Sequence, residues 1–424
     1  MSASLRFLPL APLALGLLLT ACNSGTDTST ATADGAAASA AVAEPRNDAG
    51  TWYRQYRGVL PGSSDTITLH LQRLGNAPAA SLPSRVVGFY AGPDGHPYEL
   101  GGDTGSGSTD SLNLRNLSEE LAAATADEED DTPTMPAGPQ WRLREQNGQL
   151  VGTRNGQPIQ LRRVRPGSSM AFGVRRFTTE VLPRPGHPED SISGRISMQA
   201  LVPASGTYQA DIAAHIRRGL HGDTLDTAPA LALDSVWQEH LRLFTRDYRA
   251  DAAPLLAAAK KNPNDYQPVA ALAYEQEANS YVLWNQGDLL SLGFFGYDYS
   301  GGAHGMYGTY VQSYDLRTGR VLRYDDIFRA GTKPQLAKLL GQYARPVLGL
   351  KANEPLSGAL QVKTLPVTRN VYLTSGGAVF VYLPYEVAAF SYGQISVFVP
   401  YTDLQPLLKP GLPVGGGNAA VASR

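Results

Sequence analysis

The sequence predicts an α+β protein: an N-terminal antiparallel β-meander domain, then an α+β domain with helices packed on a mixed sheet. Three observations carry this. Residues 51–164 hold short strand-like runs split by turn signals, with no helical period. Trp237, Leu241, Phe244 and Tyr248 recur at i, i+4, i+7 and i+11, a continuous stripe on one helix face. Residues 379–383 are apolar on both strand faces, the mark of a central strand.

The chain opens with a lipoprotein-type signal over residues 1–21. Arg6 is its short positive region, residues 8–19 its apolar core, and Leu19-Thr20-Ala21-Cys22 a lipobox. The apolar run is too short for a committed membrane span. Cys22, the one cysteine of the chain, is therefore the expected lipidation site. Each buried acyl methylene would add about 0.8 kcal/mol to anchoring. With Cys22 acylated no thiol is left for disulfides, thiolate catalysis or cysteine-ligated zinc. Residues 22–50, rich in small polar residues, read as a flexible tether.

Charged residues make up 17% of the chain and the net charge is -2, without the concentrated basic face of a nucleic-acid binder. The 21 tyrosines outnumber the 11 phenylalanines, a composition that suits half-buried sheets and binding surfaces equally.

The β-rich N-terminal domain is placed at 51–165. Ile67, Leu69 and Leu71 alternate cleanly, giving a strand with one buried side. Residues 86–90 and 112–114 add strands, with Pro93-Asp94-Gly95 as a turn. Asn147-Gly148 and Asn155-Gly156 are strong hairpin signals between short alternating runs. The acidic run 128–131 lacks the glycine and spacing of a calcium loop and reads as a solvated excursion. Arg162, Arg163, Arg165, Arg175 and Arg176 could face anionic glycan or lipid headgroups. We read them as a strand edge that uses charge to discourage pairing.

The second domain is placed at 170–408. Two strands open it, at 170–182 and 192–202. A short helix at 208–220 carries Ile212, Ile216 and Leu220 on one face. The helix at 234–251 follows, and Pro254 suits the first turn of a further helix. Strands at 273–283 and 289–295 lead into a glycine-rich loop and a hairpin. A helix over 332–347 presents Leu336, Leu339, Leu340 and Tyr343. Residues 409–424 read as a disordered tail.

The loop reads Tyr297-Asp298-Tyr299-Ser300-Gly301-Gly302-Ala303-His304-Gly305. Tyr314-Asp315-Leu316-Arg317-Thr318-Gly319 makes a turn, and Asp325-Asp326-Ile327-Phe328 follows. With Pro384-Tyr385-Glu386 and Tyr392-Gly393-Gln394, these blocks resemble RsiV-like extracytoplasmic domains. That DUF3298/DUF4163-type module belongs to lysozyme-sensing anti-sigma factors and PdaC-type peptidoglycan deacetylases. The resemblance covers roughly residues 172–408 and is strongest over 289–404. It implies a lysozyme-like protein or a peptidoglycan fragment as partner.

The residues show no H-E-x-x-H, G-x-S-x-G, phosphate-binding or dinucleotide motif, so we assign no catalytic residue, metal or cofactor. Candidate ligand-binding residues are Tyr297, Tyr299, Gly301, Gly302, His304, Gly305, Tyr307, Tyr385 and Glu386. His304 with Asp298 and Asp315 can be drawn as acid–base chemistry; the reading adopted has His304 holding the loop through a backbone bond. The expected protein is lipid-anchored in the cell envelope, on the extracytoplasmic side of the inner or outer membrane, with a ligand-binding or sensing module. A glycan-acting enzyme and a structural lipoprotein presenting its β-domain to another protein are the alternatives.

Overall fold

The structure is a computed structural model. It describes residues 46–75, 85–104, 110–118, 138–165, 169–188, 192–223, 228–261 and 272–414. The signal, Cys22, most of the tether, the acidic run and most of the tail lie outside the described residues.

Eight antiparallel strands close into a barrel: β1 (Trp52–Val59), β2 (Thr66–Arg73), β3 (Arg85–Ala91), β4 (Pro97–Thr104), β5 (Ser111–Asn116), β6 (Gln140–Gln146), β7 (Gln149–Arg154) and β8 (Gln157–Val164). The hairpins form where the sequence signals them. Asn147 and Gly148 take φ 49° and 74°, and Asn155 and Gly156 take 49° and 78°, the left-handed pairs that match strand twist. Inward residues fill the barrel, among them Tyr56, Leu69, Leu100, Trp141 and Leu161, all fully buried. Closure corrects the edge reading of Arg162 and Arg163. They sit on β8, which pairs with β1, opposite Arg57 and Tyr56.

A six-stranded sheet follows, in the order β14-β13-β12-β11-β10-β9. Its strands are β9 (Ala171–Val181), β10 (Gly194–Ser205), β11 (Glu275–Gln286), β12 (Leu289–Tyr299), β13 (Met306–Asp315) and β14 (Arg320–Leu322). Arg175 and Arg176 lie on β9, at the edge of that sheet. Only β10 and β11 pair in parallel. The crossover between them carries α1 (Gln209–His221) and α2 (Leu233–Lys261), which cover one face of the sheet. Trp237, Phe244 and Tyr248 of the predicted stripe are buried there, with Leu241 packed alongside. Pro254 does not start a new helix. It lies inside α2, which runs for 29 residues. Its missing N–H removes one intrahelical hydrogen bond, and the buried Ala252 and Leu256 on either side keep the helix on the sheet.

A third layer holds β15 (Val371–Leu373), β16 (Gly377–Tyr382) and β17 (Ile395–Pro400), with β16 central. It packs with α3 (Tyr324–Ile327), α4 (Lys333–Val347) and α5 (Tyr401–Leu404). Barrel and sheets belong to one compact unit.

Along β2 the joint between barrel and six-stranded sheet is polar. Thr68, His70 and Gln72 alternate with the core residues of β2, and all three are buried. Gln72 donates to the Ser280 carbonyl at 2.9 Å and Gln55 to that of Asn285 at 3.3 Å. The Asn285 side chain accepts from Met170 N–H and donates to Met170 O and to the Tyr53 hydroxyl. Tyr53 also contacts His70 Nδ1 at 3.0 Å. Burial pushes the His70 imidazole down to about 3, so folding holds it neutral. The unfolded chain takes up a proton below about pH 6.5, so this contribution is complete above that pH and is lost as pH falls toward 3. We expect the wild type to lose about 2 kcal/mol between pH 6.5 and pH 5 relative to His70→Gln. Urea midpoints at the two pH values measure it; parallel changes in both proteins would refute it.

Candidate functional site

The three layers meet around a small apolar cluster: Phe89 from the barrel, Tyr281, Leu283 and Val311 from the six-stranded sheet, and Tyr372, Val379 and Val381 from the third layer. Beside it opens a cleft of about 1210 Å3. Strand alternation sets its walls. In β3, Val86 points into the barrel, so Val87 and Phe89 point out. Glu99 pairs directly with Phe89 across β3 and β4 and shares its outward face. On the facing sheet, Asn279, Phe295 and Thr309 form one cross-strand row, and Tyr297 pairs with Tyr307 in another. This face is opposite the one under α1 and α2. Phe398 of β17 and the turn residue His96 meet at 4.7 Å, edge to face.

The rings contact one another across the junction. Phe89 and Tyr281 stack at 5.5 Å and 7°, and the Tyr281 hydroxyl hydrogen-bonds Thr309 Oγ1 at 3.0 Å. Arg85 lies over the Phe295 ring and pairs with Glu277 at 3.2 Å. Glu99 is half-buried. Burial pushes its carboxyl up to about 7, against a smaller opposing pull from Arg85. Burial also depresses the His96 imidazole, partly offset by Asp94.

Of the residues singled out in the sequence, Tyr297 and Tyr307 line this cleft. The others are not among its lining residues; His304, Gly305 and Tyr385 connect to it through Phe390 and Tyr297. Gly301 and Gly302 both take φ +94°, a conformation that disfavours a side chain. Gly305 presses on Tyr297, whose ring would lie 2.5 Å from an added Cβ. His304 is exposed. Its Nδ1 bonds the Gly305 carbonyl at 3.0 Å, its ring stacks on Phe390 at 3.9 Å, and Nε2 lies 3.4 Å from the Tyr385 hydroxyl. Phe390 in turn meets Tyr307 edge to face at 5.9 Å, the link to the cleft. Tyr385 has φ 69° and is 52% exposed. Glu386 accepts from Leu383 N–H at 2.9 Å and closes its own turn. The Tyr299 hydroxyl donates to Gly302 O at 3.2 Å.

The acid–base trio drawn from sequence is not assembled. Asp298 pairs with Met306 at one end of β13, beside the His304 loop, whereas Asp315 ends the strand and accepts from Arg317 Nε at 2.9 Å and Nη2 at 2.7 Å. Among the described residues no cluster of three or more His, Cys, Asp or Glu could hold a metal ion. No helix there is long and apolar enough to cross a membrane.

Sequence reasoning missed Phe89, Glu99, Tyr281 and Phe398. One signal was present: Val86, Val87, Phe89 and Tyr90 put apolar groups on both faces of β3, so a second surface had to cover the outer one.

The geometry defines an α+β protein in which a side-chain-filled barrel and the two sheets that follow it share one aromatic cleft. Residues 325–402 match the family described as "Protein of unknown function (DUF3298)". That segment runs from α3 to α5 and includes Tyr385, Phe390 and Phe398; the His304 loop precedes it. The crystal structure of a DUF3298 family member from Bacteroides fragilis is similar at 21% identity and a TM-score of 0.50, over 58% of this chain and 96% of that one. A DUF3298 family protein from Pseudomonas aeruginosa is 20% identical with a TM-score of 0.41, over 57% of this chain and 97% of that one. No curated protein matches the chain.

Proposed function

We propose that the chain is a binding protein of the cell envelope, tethered through lipid on Cys22 at the extracytoplasmic side of the inner or outer membrane. Its cleft takes a peptidoglycan-derived glycan. The cleft itself carries this reading: about 1210 Å3, walled on both sides by aromatic rings, with a few polar groups among them. Aromatic faces pack against the flat apolar faces of sugar rings, and amide and carboxyl groups such as Asn279, Gln394 and Glu99 orient hydroxyls. Titration calorimetry with purified muropeptides and N-acetylglucosamine oligomers tests it. Tyr307→Ala is expected to weaken binding about tenfold while leaving the fold intact. Absence of heat with every fragment would refute the reading.

A second reading places a protein partner, lysozyme among them, on the surface at Tyr385. The exposure of Tyr385 (52%) favours it. Capture of lysozyme by the wild type and its loss in Tyr385→Ala would support that reading; equal capture by both would remove that surface from it.

A further inference from the structure

Glu99 is anomalous in its surroundings. It sits opposite Phe89, whose ring is stacked on Tyr281, so its carboxyl faces an aromatic wall. Among the described residues that carboxyl has no hydrogen-bond or ion-pair partner, while the backbone N–H of the same residue donates to Ser118 Oγ at 2.9 Å. The neighbouring guanidinium, Arg85, is turned to Glu277 and Phe295. A half-buried carboxylate without a direct ion pair is costly, with Arg85 offsetting only part of that cost, and here it sits at an open cavity where a ligand can relieve it.

The other ionisable groups around it do not supply the missing charge. Tyr281 on β11, Tyr307 on β13 and Tyr372 on β15 all feel Glu99. Burial raises all three phenols, so they stay neutral near pH 7. Asp94 and His96 flank it from the β3–β4 turn, the first an acid and the second held toward its neutral form. Arg115 of β5 has interactions of its own.

We infer that the ligand carries a protonated amine that seats on Glu99, on a body whose flat faces lie along the aromatic walls: an amino sugar with its amine free, within a glycan chain. This deepens the cleft reading above and rests on it. A compact ammonium ion would need only the rings around Glu99. The cleft instead encloses about 1210 Å3 and is also lined by Phe398, His96, Tyr297 and Tyr307, far more room and aromatic surface than such an ion fills. With the amine acetylated, Glu99 would meet a neutral amide and lose its ion pair.

The test compares a tetramer of glucosamine with a tetramer of N-acetylglucosamine by calorimetry at pH 7. The wild type is expected to bind the free-amine tetramer about tenfold to a hundredfold more tightly. Glu99→Gln, an isostere without charge, should erase the preference between the two tetramers. Equal or tighter wild-type binding of the acetylated tetramer overturns the amine inference and leaves the glycan cleft standing. A preference that survives in Glu99→Gln also overturns it. Binding of neither tetramer, with a lysine-containing stem peptide bound instead, overturns both.

Discussion

Gly376→Ala is expected to lower the unfolding free energy by about 3 kcal/mol and to deform the cleft. The reason is a contact between two backbones. A Cβ on Gly376 would lie 1.6 Å from the Asp94 carbonyl oxygen, and one on Gly95 would lie 2.2 Å from Gly376 N. Neither neighbour is the far end of a flexible side chain that could swing away. Gly95 also takes φ +68°, which penalises a side chain independently. Thr374 Oγ1 fixes the contact by donating to the Gly95 carbonyl at 2.7 Å, fully buried. Tyr401 anchors the other side, donating its N–H to Gly376 O at 2.8 Å and its hydroxyl to Thr374 O at 2.9 Å. Asp94 and His96 line the cleft, so moving their turn moves a wall. Urea titration measures the loss, and faster amide exchange near Gly95 locates it. Unchanged stability would mean that the two turns do not meet as described.

Trp141→Ala is expected to be as severe, at about 3–5 kcal/mol. Trp141 is fully buried in the barrel and packs on Tyr90 at 5.3 Å, with the Arg154 guanidinium 5.8 Å from its ring. The strands are held by their ladders and cannot collapse into the space an alanine would leave. Tyr90 also accepts from the buried Asn116 amide at 2.9 Å and stacks on Tyr98 at 5.0 Å. Tyr98 precedes Glu99 and lines the cleft, so loss of the indole should reach the binding wall. Thermal unfolding of the wild type, Trp141→Ala and Trp141→Phe gives the ranking, with Phe intermediate. An alanine variant as stable as the wild type would refute the packing account.

Much of the barrel was legible because its signals are local. An Asn-Gly pair states its own turn geometry, and Ile67, Leu69 and Leu71 state which face of β2 is inside. Alternation cannot state what covers the opposite face. Thr68, His70 and Gln72 read as a wet surface, yet they are buried against a strand more than two hundred residues away. Closure of β8 on β1 has the same character, since it depends on strand number, tilt and shear and not on any one residue. The candidate site divides along the same line. The glycines and tyrosines around His304 stand out by composition, whereas Glu99 is an unremarked residue of a strand until the facing sheet strands it beside Phe89 and Tyr281.

The hydrogen-bonded joint also bears on the order of assembly. Every barrel pairing except β1 with β8 links strands adjacent in sequence, so loop closure there costs little chain entropy. The parallel pairing of β10 with β11 must instead wait for the whole helical crossover between them. The barrel can therefore mature first, and the flank of β2 it then shows to solvent is one that water hydrates. A greasy flank on β2 would add to the apolar surface that β3 already shows; the hydrophilic one keeps that part of the barrel hydrated until the later half of the chain folds onto it.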